Sequence, residues 1–464
     1  MTNYTEQIQR IKEKLLEAKN TDKNLKVFGA ASHRYIIHEP ATLKKVSEIE
    51  AKYSIELPEC YKAFILHIGN GGISSQNSAA GPFYGIYPVG VNINELIYNN
   101  TEEYLKNGCI IMPKMTDEYW KSITSNPEEN KAISNEDFDV KSGILWAGIL
   151  PIGSQGCSYI HGIVLNGPHK GRVVNLDIDR QKPQFTFENN FLDWYERWLD
   201  EVISGELIKD VPSSFGYRKG GSEEQLLASF LTSKDMEEKN DNLSGLLNKN
   251  SLSNHTLNQI ENLININSEP KNKLIQLLSK SDYARAKPYL IELTKTDLCS
   301  AFQFIYWYAK DKSKEWITVI ENNIHRIDND ETFRFCSYLL KETNTDYGRL
   351  IEPFTKNIND NIRAQAFYTL GLLKNKKDYL DCFIEGLQDK SNKVVHSTLQ
   401  ALSGVKDKKL LNHYKQIAER FPIEQDYILA NLNHRLADYG LTNKTILNQN
   451  IPEQSTKKWY EIWK

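Results

Sequence analysis

Apolar residues recur at helical spacing through the first 70 positions. Ile8, Ile11, Leu15 and Leu16 fall on one face of a helix over 5–20. Pro40 precedes a second helix at 41–53, with Leu43, Val46 and Ile49 in register. Leu57-Pro58 follows, with Pro58 placed for the first turn of a third helix, where its missing N–H is harmless. That helix carries Tyr61, Phe64, Ile65 and Ile68. It stops at Gly69-Asn70-Gly71-Gly72, residues that tolerate positive φ.

The period then changes. Gly81-Pro82-Phe83-Tyr84-Gly85-Ile86-Tyr87 is aromatic and punctuated by turn residues. It reads as a core strand, with a partner groove as the alternative. Ile144 to Ile152 is a short apolar run. Tyr159 to Leu165 is rich in β-formers, Asn166-Gly167-Pro168 marks a turn, and Gly171 to Asp179 alternates. One mostly antiparallel sheet accounts for these segments. A closing helix over 190–204 sets Phe191, Trp194, Trp198 and Val202 on one side. Residues 211–224 mix Pro, Ser, Gly and Lys and read as a linker.

The remainder is helical in pattern, in segments of about a dozen residues between polar turns. Asn361 to Leu370 aligns with Lys393 to Leu402, so that Ile362/Val394, Phe367/Leu399 and Leu370/Leu402 coincide. A third copy gives those roles to Tyr427 and Leu432. Such a repeat implies stacked helices, each burying its apolar side on the next. The expected organisation is an α+β domain over 1–210, a linker over 211–224 and an all-α HEAT-like solenoid over 225–464.

Charge narrows the partner class. The 464 residues sum to −3. Residues 1–210 hold 22 Lys/Arg against 28 Asp/Glu, and the rest hold 35 against 32. Neither half has the basic excess of a nucleic-acid surface, so no nucleic-acid partner is expected. An acidic first half suits a basic partner. The longest near-apolar run, Ile144 to Gly153, is far short of a membrane span. The first residues lack the basic and apolar blocks of a secretion signal, and the six cysteines form no CxxC pair. These features fit buried thiols in a cytoplasmic protein. The richness in Asn, Lys and Ile hints at an AT-biased bacterial genome.

The string Ile49-Glu50 … Leu57-Pro58-Glu59-Cys60-Tyr61-Lys62-Ala63-Phe64 … Gly69-Asn70-Gly71-Gly72 resembles the opening motif of the SUKH superfamily, the Smi/Knr-like group. Leu150-Pro151-Ile152-Gly153, Gly171-Arg172-Val173 and Phe191-Leu192-Asp193-Trp194 follow in the family's order. A long acidic insertion near 112–142 departs from the pattern. So does Gly153-Ser154-Gln155-Gly156-Cys157-Ser158, where the family has a polar Gly/Asp stretch. The resemblance implies a non-enzymatic, protein-binding domain. Many bacterial members neutralise a polymorphic toxin inside the producing cell. No contact residue carries over from it.

Most candidate site residues also have an ordinary structural role. Leu57, Pro58, Tyr61, Asn70, Gly71 and Gly72 each have a backbone or core reason to be present. The insertion supplies Asp117, Glu118, Glu128, Glu129, Glu136, Asp137 and Asp139, with Tyr119, Trp120 and Phe138 as aromatic anchors. We take Asp117, Glu118, Trp120, Glu128, Glu129, Glu136, Asp137 and Asp139 as the partner-binding candidates. A solvated loop is the plain alternative. Cys157 with His161, and Cys60 with His67, lack the rest of a nucleophilic or zinc site. Asp177 and Asp179 are expected to face solvent together. Arg363 with Lys374, Lys376 and Lys377 makes a modest basic ridge, and Trp307 sits in a helix expected to be buried. No catalytic, cofactor or metal residue is expected. The reading is an immunity-type protein that neutralises a toxin by direct binding, with a basic toxin domain as the expected partner. The alternatives are a cell-wall or signalling scaffold, and a HEAT-like DNA-repair enzyme.

Overall fold

The computed structural model describes residues 4–72, 79–125, 134–179, 181–209, 215–421 and 426–450. Glu128 and Glu129 lie outside them. The chain divides into two compact units, Met1–Thr256 and Leu257–Lys464.

In the first unit the helices are α1 (Thr5–Thr21), α2 (Ala30–His33), α3 (Leu43–Tyr53), α4 (Glu59–His67), α5 (Thr101–Tyr104), α6 (Asp117–Thr124) and α7 (Asn135–Leu145). The strands follow: β1 (Ile149–Gly156), β2 (Tyr159–Val164), β3 (Val173–Asp177) and β4 (Gln184–Phe185). Then come α8 (Phe191–Ile203), α9 (Glu206–Lys209), α10 (Glu223–Thr232) and α11 (Met236–Asn248). The strands form one antiparallel sheet in the order β1-β2-β3-β4. The run Ile144 to Ile152 is not one strand. It is split between the end of α7, a turn and the start of β1.

Local chemistry explains the helix starts. Thr42 accepts the Lys45 N–H at the head of α3, and Asn190 accepts the Asp193 N–H at the head of α8. Pro58 heads α4, its carbonyl accepting from Tyr61 and Lys62. Leu57 and Tyr61 are buried, and the Glu50 side chain accepts the Leu57 N–H at 2.8 Å. Beyond α4, Asn70 is buried and its side chain accepts the Val89 N–H at 2.8 Å. Gly71 sits at φ +91° and its carbonyl accepts from His38. These contacts leave Gly69 to Gly72 turned into the protein, not arranged as an anion cradle.

The core is aromatic. Trp194, Tyr195 and Trp198 of α8 are fully buried. They pack with Phe64 and Phe191 on one side and with Tyr35 and His33 on the other. The Gly81–Tyr87 segment lies in this core. It joins β1 through the Ile86–Gly153 bridge and through the N–H groups of Tyr84 and Tyr87. Gly29 permits the segment's close approach: at φ +83°, a Cβ there would stand 1.6 Å from the Phe83 carbonyl oxygen.

Composition suggested that 211–224 leaves the domain, but residues 215–218 stay within it. Phe215 is buried beside Trp194, and Tyr217 donates to Gln155 at 2.8 Å. The Arg218 carbonyl accepts from Arg197 at 2.6 Å. An apolar ring and backbone groups that find partners outweigh the loop-like composition. The compact unit runs on through α10 and α11 to Thr256.

After α12 (Asn254–Asn265) the helices are α13 (Lys271–Ser281), α14 (Tyr283–Thr296), α15 (Leu298–Ala309), α16 (Ile317–Asn323), α17 (Asp330–Glu342) and α18 (Gly348–Ile351). They continue as α19 (Asp360–Leu370), α20 (Leu380–Leu387), α21 (Asn392–Ala401), α22 (Lys409–Arg420) and α23 (Asp426–Ala437). In the second unit α13, α15, α17, α19, α21 and α23 pack in succession, and α14, α20 and α22 pack against that row. The sequence repeat is the α19–α21 pair. Ile362, Phe367 and Leu370 are buried, as are Val394, Leu399 and Leu402. In α23, Leu432 is buried but Tyr427 is exposed, because the third copy keeps only part of the pattern.

Two expectations for this unit are corrected. Arg363 is not part of an exposed ridge. It is buried, forks onto Asp389 at 2.8 and 3.0 Å, and donates to the carbonyls of Asn357 and Ile358. Lys376 is likewise occupied, by the carbonyls of Ala401 and Ser403. Trp307 is 48% exposed, since its helix buries Phe304 and Ile305 instead. Removing Arg363 leaves a shielded carboxylate and two carbonyls without their donor. Arg363→Ala should therefore lower stability by about 3 kcal/mol, against a change within about 0.5 kcal/mol for exposed Lys377→Ala. Urea denaturation followed by circular dichroism measures both.

Candidate functional site

The acidic insertion folds as α6, α7 and the segments beside them. Thr116 and Ser134 cap the two helices through side-chain oxygens. On α6, Trp120 is buried with its ring 6.1 Å from Trp146, so it is a core residue and not an exposed anchor. Asp117 and Glu118 stay at the surface, and Asp117 is paired with Lys182. The Lys182 ammonium holds the Asp117 carboxyl below its ordinary range.

On α7, Glu136 and Asp137 are exposed and Asp139 is half-exposed. Asp137 accepts from Ser134 at 2.7 Å, and Asp139 accepts from Asn99. Glu102 and Glu103 are exposed on α5, which packs on α7. Gly143 meets the Tyr104 ring there, and Phe138 stacks on Tyr98 at 6.3 Å. Asn99, Asn100, Tyr104, Glu136, Asp139 and Val140 line a recess of about 390 Å³. Around it Tyr98, Val140 and Ile144 are 45%, 42% and 53% exposed. The structure thus gathers three of the sequence candidates, Glu136, Asp137 and Asp139, with acids and apolar side chains that sequence reading passed over. Their signal was present in Tyr98 and Glu102-Glu103. It lay outside the insertion and 30 or more positions from α7.

The other candidate chemistry disperses. Cys157 is exposed in the two-residue turn between β1 and β2, at φ +50°. His161 is buried on β2, so the pair does not share a strand face. Asp177 is buried at the end of β3, and its Oδ1 accepts the Asp179 N–H at 3.1 Å. It does not face water beside Asp179, because β3 is covered on both faces. All six cysteines are free, and the described residues hold no His, Cys, Asp and Glu group fit to hold a metal ion. No described helix is long and apolar enough to cross a membrane.

A buried polar network lies under the sheet. The register shift between Ser154 and Gly156 leaves Gln155 unpaired in the ladder, and such bulges re-aim side chains. Gln155 Nε2 lies 3.1 Å from Asn175 Oδ1 and 3.2 Å from His161 Nδ1. His161 Nδ1 also lies 3.0 Å from Asn175 Oδ1. Phe83 stacks on the ring and Trp194 meets it edge-on, so Nε2 is buried without a partner. Burial depresses His161 to about 3, and burial does the same to His33.

Residues 40–197 match the model of the SMI1 / KNR4 family (SUKH-1). Over this stretch the resemblance carried by Leu57-Pro58 and Asn70-Gly71-Gly72 is borne out. No curated protein and no solved structure matches the chain.

The two neutral histidines set an acid limit. Their folded-state pKa values lie below the ordinary 6.5, so the unfolded chain takes up more protons beneath that pH. Their contribution is whole above pH 6.5 and is lost as pH falls toward 3. At pH 5 the loss is about 2 kcal/mol per histidine. Urea midpoints at pH 8 and pH 5 should show it, and His161→Gln should remove about half of the histidine-dependent difference.

Proposed function

We propose that this chain is an immunity-type protein of a bacterial cytoplasm, which neutralises a toxin by binding a basic domain of it. The α5–α7 face is the docking surface, and the chain acts without catalysis. The observation that carries the reading is the concentration of Glu102, Glu103, Glu136 and Asp137 around exposed Tyr98, Val140 and Ile144. Carboxylates steer a basic partner and raise its association rate, while apolar anchors hold it once docked. The family match supports a protein partner, since resemblance to this group implies protein binding. Occluding a toxin's active site needs only an interface of ordinary size.

A scaffold role is the second reading. It is favoured by a groove of about 640 Å³ across α17, α19 and α21, lined by Glu331, Arg334, Asn361, Gln365, Tyr368 and Ser397. That groove offers the second unit its own contact surface.

Affinity capture of the full chain from its native cytosol, with mass spectrometry, should return one dominant partner bearing a basic toxin domain. A set of harmless housekeeping proteins would favour the scaffold. With the partner in hand, Glu136→Lys with Asp137→Lys should slow association about tenfold at low salt and flatten its salt dependence. Unchanged kinetics would remove the α5–α7 face from the interface.

A further inference from the structure

Within the first unit a groove of about 650 Å³ opens between residues 113–116, the β4 segment over 182–187, and α11. Its size is that of a small-ligand site, for which roughly 300–1,000 Å³ is usual. Pro113, Met115, Pro183 and Phe187 give it apolar walls. The charged groups on those walls differ in how well they are matched.

Lys114 is paired with Asp235 at 3.2 Å and Glu237 at 3.0 Å, and Lys182 is paired with Asp117. Arg172 makes no ion pair with a carboxylate of the described residues, and Glu188 favours its charge only from farther off. One of its Nη atoms donates to the Thr186 carbonyl at 2.7 Å, and the guanidinium lies 5.1 Å over the Phe185 ring. Nε is buried without an acceptor, and the second Nη has no hydrogen bond with a described residue. On the α11 wall, Asp241 is half-buried and has neither an ion pair nor a hydrogen bond with a described residue, although Lys219 and Lys114 favour its charge from farther off. Withdrawal from water is the leading cause of a lowered pKa at Arg172 and a raised one at Asp241.

A charge drawn partly out of water with no counter-charge in contact is unfavourable. A groove that keeps one of each sign in that condition complements a ligand that brings both. We propose that this groove binds a zwitterionic ligand of short-peptide type, with its carboxylate on Arg172 and its ammonium on Asp241. The apolar walls take the ligand's side chains. A planar guanidinium with free N–H groups suits a carboxylate better than an ammonium donor would. The site uses none of the α5–α7 residues and stands independently of toxin binding.

Isothermal titration of the full chain with leucine, dileucine and trileucine tests the proposal across increasing charge separation. One length should bind, and its N-acetylated and C-amidated forms should each bind about tenfold more weakly. Arg172→Gln should erase the preference for a free carboxylate while keeping that for a free ammonium. Asp241→Asn should do the reverse, and its helix-surface position guards against loss of fold, which circular dichroism checks. Blocked and free peptides binding equally would overturn the proposal. So would no binding by any length below about 10 mM.

Discussion

The first unit depends on the burial of the aromatic face of α8. Phe191, Trp194, Tyr195 and Trp198 lie at or below 1% exposure. Such side chains bury on the order of 150–250 Å² each, the largest apolar surface one residue can withdraw from water. α1 and α4 pack against this helix, and Phe215 closes over Trp194. Tyr195 also donates its hydroxyl to the Ala80 carbonyl, which ties the 79–87 segment to the core. That segment then covers the β1 edge, a place where an open sheet would otherwise invite pairing with other chains.

Around this core, charge is used to align elements. Glu196 of α8 draws in Gln7, Arg10 and Lys14 of α1. Arg197, one position on, is shielded and shared between Glu188 and Glu201. Its third donor reaches the Arg218 carbonyl, so one guanidinium links α8 to the chain beyond it. The charges less closely matched are the informative ones. Acids on α5 and α7 stay exposed, although Glu102 pairs with Lys52, and Arg172 and Asp241 line one groove without an ion pair of their own.

The second unit rests on a different economy of contacts. Each helix of its row buries one side on the preceding helix and one on the next, so the repeat of apolar positions is the fold. Gly371 shows how close the approach is, since a Cβ there would stand 2.4 Å from the Ala401 Cα. Polar side chains left on the open side join across the row. Examples are Gln303 with Glu331, Lys393 with Asn361, and Asn431 with His396.

Periodicity, caps and turn residues determined where α1, α3, α4 and α8 lie, because those signals act within a few residues of one another. Pro58, Asn70 and Gly71 were readable for the same reason, as were Ile362 and Val394 as repeated core positions. Which polar residues stay at the surface was a tertiary decision. Trp120 lies in an acidic stretch yet is buried by Trp146, 26 positions away, and Trp307 lies in an apolar stretch yet is exposed. Arg363 became a buried tie because Asp389 arrives from the turn after α20. The candidate faces were hidden likewise: Tyr98 meets Phe138, and Arg172 comes to line one groove with α11, only after folding. Local pattern records what a segment prefers, whereas burial and charge pairing depend on which distant segment packs against it.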